Sequence, residues 1–129
     1  MATDGDDGSV ALAGENGERN GIEMRTERMK WADEAEMTKV KDELGGVVDL
    51  LVGSDIVACP YSASFGHLVE TIIFFGCELI LAYQERIGQE EEEFFQQVKD
   101  RDMDITTLHT DTSKHTILPI TILRITPPS

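Results

Sequence analysis

Nowhere in its 129 residues does the chain run through the roughly 20 consecutive apolar side chains that a bilayer-spanning helix needs, so no membrane partner is expected. Its first residues, "MATDGDDGSV", have no basic n-region, no apolar h-region and none of the arginine enrichment of a transit peptide. A cytoplasmic or nuclear location is the expectation. Cysteine is scarce as well: Cys59 and Cys77 are too few for a disulfide framework and lie far from Cys-x-x-Cys spacing, which suits buried thiols in a reducing compartment. Positive charge is short, with 11 basic against 25 acidic residues and a net charge of −14. The attraction that dominates phosphate-backbone binding then has the wrong sign. No nucleic acid partner is expected, and a basic protein partner is favoured, unless the charge serves solubility alone. His67, His109 and His115 share no i, i+4 spacing with one another or with the cysteines, so no metal site is expected.

What the sequence does contain is an alternation of strand and helix patterns on a length suited to one modest core. Residues 1–21 are acidic and glycine-rich, fitting either a poorly ordered tail or a short helix around Val10, Leu12 and Ala13. In "IEMRTERMKW" Ile22, Met24, Thr26 and Arg28 alternate with charged neighbours, which predicts a partly buried strand over 22–31. "ADEAEMTKVKDELGG" predicts a helix, with acids in its first turn, lysines later and a Gly-Gly stop. "VVDLLVGSDIV", residues 47–57, is aliphatic enough to predict a strand buried on both faces. Beyond it, Phe65, Leu68, Val69, Ile72 and Ile73 form one helical stripe, with Ser62 or Ser64 as cap and Gly76 as terminator. "CELILAYQER" predicts a second buried strand, and "GQEEEEFFQQVKDR" a helix with Phe94, Phe95 and Val98 inside. "MDITTLHT" and "HTILPITILRIT", the latter interrupted by Pro119, predict two more strands. The order predicts an α/β fold with a parallel sheet wrapped on both sides.

In open α/β sheets ligands bind beyond the carboxyl ends of the strands, so the acid closing the 47–57 strand, Asp55, is the first functional candidate. The same residue could equally be a turn or capping aspartate.

Taken in order, "TDGDDGSVALAGENGERNG", "MRTERMKWADE", "VVDLLVGSDIVACPY", "ILAYQER...EEEEFF" and "ILPITILRI" resemble the seven-strand, class I S-adenosylmethionine-dependent methyltransferases, specifically the methyltransferase family 16 group of protein-lysine methyltransferases. The resemblance implies a Rossmann-like sheet with helices on both faces, S-adenosylmethionine as cofactor and a basic protein as substrate. It further implies that Asp4 binds the cofactor ribose and that Trp31 and Asp33 lie against the adenine. Asp55 would open the family's Asp-x-x-Tyr motif and help position the target nitrogen. Here the motif's fourth position is Ala58, and the nearest phenol is Tyr61, the remaining candidate for the catalytic aromatic.

The family's first strand and glycine-rich loop should precede Asp4, and no G-x-G-x-x-G spacing stands in for them. An incomplete sheet is therefore expected, with residues 22–129 as the carboxyl-terminal portion of the domain and a compact core over 46–129. Without that first strand, the strand at 47–57 would have a bare edge. The 22–31 strand could move in beside it, a partner chain could pair with it, or residues 1–45 could stay loose around the core; the first or the third is expected. Cofactor affinity and turnover are expected to be low for this chain alone. Two other functions fit the pattern: a non-catalytic interaction module for a basic partner, and a receiver-like signalling domain. The latter is weakened by the lack of a lysine at the end of "ILAYQER".

Overall fold

The computed structural model describes the backbone of residues 1–57, 59–85, 90–113 and 118–128, and their side chains apart from those of 59–61 and 90. The chain is an α/β protein that divides into two compact units, Met1–Val47 and Val48–Ser129.

The first unit is a small strand–helix–strand–helix arrangement: β1 (Ala2–Asp4), α1 (Asp7–Arg19), β2 (Thr26–Arg28) and α2 (Glu34–Glu43). The two strands pair in parallel with Asp4 opposite Arg28. Helix α1 starts where Asp6 accepts the Ser9 amide at 2.8 Å. It ends in a left-handed turn at Gly21, where the Gly21 and Ile22 amides donate to Glu18 and Gly17 carbonyls at 3.0 and 2.9 Å. That closure explains why the strand expected over 22–31 is only three residues long: Ile22 is used to finish the helix. Helix α2 ends the same way, with Gly45 in the left-handed conformation and Gly46 donating to Lys41 at 2.9 Å. Met29, Met37 and Val40 are the buried large side chains of this unit.

The second unit holds β3 (Leu50–Ser54), α3 (Phe65–Phe75), β4 (Glu78–Gln84), α4 (Glu90–Asp100), β5 (Asp104–Asp111) and β6 (Ile120–Thr126), with a 3-10 turn at Cys59–Ser64. Its sheet has the order β3-β4-β6-β5 and is mixed, not parallel. β3 and β4 are parallel because α3 carries the chain back between them; β6 pairs antiparallel to both of its neighbours, β4 and β5. Both helices of this unit lie on one face. Leu79, Leu81, Leu123 and Ile125 point to that face and are buried with Phe65, Leu68, Val69 and Ile72 of α3 and Phe94 and Val98 of α4. The rings of Phe65 and Phe94 meet edge-on at 5.7 Å where the helices touch.

β3 departs from the expectation of burial on both faces. It is an edge strand, its outward side chains Leu50 and Val52 are 48% and 75% exposed, and only Leu51 and Gly53 turn toward the helices. With helices on one face, an aliphatic strand is buried on that face alone. Nor does the strand at Thr26–Arg28 pair with it; that segment is held by β1 instead. Among the described residues no helix is long and apolar enough to cross a membrane.

Candidate functional site

Four of the sequence-derived candidates lie at the carboxyl ends of parallel strands. In the first unit, Asp4 closes β1 and the Trp31–Asp33 segment follows β2, so the β1–β2 register brings them to the same end of the pair. The Asp4 Oδ1 accepts the Asp6 amide at 2.9 Å, and the Asp4 carbonyl accepts the Met29 amide at 2.8 Å, extending the pairing past the strand. Asp33 is the N-cap of α2, its Oδ1 accepting the Glu36 amide at 3.0 Å. Glu36 in turn accepts the Lys30 amide through Oε2 at 2.6 Å. Trp31 and Ala32 are thus clamped between two backbone anchors, a variant of the reciprocal capping that the "DEAE" spelling predicts. Arg28 reaches the same end of the pair: its Nε donates to the Gly5 carbonyl at 3.4 Å and stands 3.9 Å from Asp7 and 3.8 Å from Glu36. The hydrogen bond from the Ser9 amide, reinforced by the Ser9 hydroxyl, holds the Asp6 carboxyl below the usual carboxylate range.

In the second unit Asp55 follows β3 directly, and its amide still donates to the Ala82 carbonyl at 3.0 Å. The local sequence explains its orientation. A β-carbon on Gly53 would come within 2.5 Å of Ile56 Cδ1, so the glycine leaves room for Ile56 to fold back over the strand. Val57 is buried, and Asp55, ahead of these two anchors, faces solvent. Tyr61 lies on the Cys59–Ser64 turn that follows, at the same end of the strand; its side chain and Ala58 are outside the described residues. The turn leads into α3 without a side-chain cap from Ser64.

Among the described residues three non-glycine residues have positive φ: Ala32 at 59°, Asp55 at 57° and Asp102 at 56°. Asp102 is explained by helix closure, since the Asp102 and Met103 amides donate to Lys99 and Val98 at the end of α4. Ala32 is the third residue of a turn closed by the Asp33 amide donating to the Lys30 carbonyl at 3.2 Å, and Asp55 directly follows β3; neither closes a helix. Alanine gains nothing from the left-handed region, and such residues gather at ligand sites. The strain at Ala32 is a signal no sequence pattern gave.

A cavity of about 520 Å³ lies elsewhere in the second unit, between α4 and the β5–β6 side of the sheet, lined by Tyr83, Phe95, Gln96, Lys99, Thr107 and Leu123 among others. It holds none of the candidates. Burial first, and the charges of Glu85, Glu91 and Glu92 after it, push the Tyr83 phenol above its usual value. Among the described residues no three His, Cys, Asp or Glu side chains gather closely enough to hold a metal ion.

Compared with known proteins, the chain matches no family model and no curated protein.

Proposed function

We propose that the chain is a class I methyltransferase-like protein whose substrate is a lysine of a basic protein and whose methyl donor is S-adenosylmethionine. The observation that carries this is the coincidence of backbone strain with strand ends. Among the described residues, the two left-handed non-glycine residues outside helix closures, Ala32 and Asp55, fall in the segments that the resemblance gives to adenine and to the target nitrogen, each following a parallel strand.

The donor groups present suit most of such a cofactor. Asp4 has one carboxylate oxygen committed to Asp6, which leaves the other to accept from ribose hydroxyls. Trp31, on the turn braced by Asp33 and Glu36, would lie against adenine as the resemblance implies. Asp33 acts through that anchoring, as the cap that sets the loop. When bound, S-adenosylmethionine supplies a methyl group activated on sulfur. Asp55 accepts a hydrogen bond from the target nitrogen and orients it. A lysine enters as an ammonium with a pKa of about 10.4, so the site must also favour its neutral form, and most of the rate comes from alignment. No G-x-G-x-x-G spacing occurs in the 129 residues to cradle the methionine part, so the grip of this chain is weak.

Trp31 is the single tryptophan, which makes its emission a direct test. Titration with S-adenosylmethionine should quench it saturably with a midpoint of about 1 mM, a weak affinity, and Asp4→Ala should move the midpoint upward. Micromolar binding would refute the weak grip. An emission that stays flat to about 10 mM would refute the function itself.

A further inference from the structure

We propose that the outer edge of β3 is a docking strand for an extended, lysine-rich protein segment, which joins the sheet as an additional strand. Among the described residues β3 has one strand neighbour, β4. Side chains and amides both alternate along a strand, and the Asp55 amide points to β4, with Ser54 opposite Ala82. By that period Leu51 and Gly53 also bond toward β4, whereas the amides and carbonyls of Leu50, Val52 and Ser54 face the free edge.

Natural edges are blunted by lysine, proline, a bulge or an inward charge. β3, "LLVGS", has none of these, and its register with β4 is unbroken over all five residues. The same residues that offer backbone groups also present Leu50 and Val52 to solvent, opposite Glu78 and Ile80 of β4 on the face away from the helices. An incoming strand would thus gain a main-chain ladder and an apolar row together, the combination that makes strand addition both firm and selective.

Charge decides the occupant. Asp49 and Asp55, both exposed, stand immediately before and after the strand, on a chain of net charge −14. A second copy would set these acids against its own, so a segment with apolar alternate residues and lysines at its ends is the complementary partner. The proposal uses the backbone of β3 and not the Asp55 carboxylate's chemistry, and it stands whether or not the chain transfers methyl groups.

The test is amide exchange of the full chain with a synthetic peptide of alternating valine and threonine carrying paired lysines at each end, and with a twin carrying glutamates instead. The lysine peptide should slow exchange at Leu50, Val52 and Ser54 by about tenfold or more at saturation, and the glutamate twin should not. Val52→Lys, at an exposed position, should leave Leu79 and Leu81 protected as before yet weaken peptide binding by about tenfold. Equal protection by both peptides, no protection by either, or protection in the peptide-free chain that disappears on dilution as a dimer dissociates would each overturn the proposal.

Discussion

Replacing Asp55 by glycine should leave the Val48–Ser129 unit as stable as before, or slightly more so, while it removes the carboxylate proposed to orient the substrate nitrogen. At a φ of 57°, an L-residue is strained by roughly 1–2 kcal/mol, with aspartate toward the low end because its side chain can hydrogen-bond locally. Glycine has no such strain, but it loosens the unfolded chain by roughly 0.4–1 kcal/mol. The net change for Asp55→Gly is then a gain of about 0.5 kcal/mol or none. Alanine bears the full strain without the local hydrogen bonding, so Asp55→Ala should lose about 1 kcal/mol. With a urea slope of roughly 1–3 kcal/mol per molar, the two variants should differ in unfolding midpoint by about 0.3–1.5 M. The assay is amide exchange in urea at Leu79 and Leu81, which lie in β4 between two strand neighbours and report this unit alone. If Asp55→Gly instead loses more than about 1 kcal/mol and asparagine restores it, the side chain is holding the turn and the reasoning from strain to function fails.

Two further outcomes test the packing and electrostatics. Phe94→Ala should destabilise the second unit by about 3–5 kcal/mol, a large share of what a unit of this size possesses, because Phe94 is fully buried and meets both Phe65 and Phe95 edge-on; a urea midpoint within error of the parent would contradict the core assignment. In the first unit the 2.7 Å hydrogen bond between Lys39 Nζ and Glu27 Oε1 lowers the Glu27 carboxyl and raises the Lys39 ammonium. A lowered acid stabilises the fold above its ordinary range and loses that effect as pH falls through its folded value; a raised base stabilises below its ordinary range and loses it as pH rises through its folded value. Thermal midpoints followed by Trp31 emission should therefore form a plateau between about pH 5 and pH 10, flattened in about 1 M salt, where an exposed pair is screened. An identical profile for Glu27→Gln would show that the pair contributes nothing.

The local elements follow from patterns of residues close in sequence. The acid-first, lysine-later spacing with its Gly-Gly stop forms α2, the Phe65-to-Ile72 stripe forms α3, and Phe94 and Val98 set the buried side of α4. Asp55 could be placed at a strand's carboxyl end because an aliphatic run closing on an acid is visible in a single sequence. The roles of Asp4, Trp31 and Asp33 came from family resemblance instead, and their register across β1 and β2 lies outside any local pattern.

Strand partners and covered faces belong to the tertiary structure. "LLVGS" is apolar enough for the centre of a sheet, yet whether it is central or an edge depends on which strands lie beside it, and composition cannot encode that. The reversal of β6 shows only in its antiparallel register with β4, and the meeting of α3 and α4 on one sheet face shows in the edge-on contact of Phe65 and Phe94. The left-handed turn at Ala32 is closed by the Asp33 amide on the Lys30 carbonyl and braced by Glu36 on the Lys30 amide, which hold the backbone in a conformation that alanine alone would avoid. Short-range spacing determined which residues could form each element; contacts between residues distant in sequence decided which strands lie side by side and which surfaces remain open.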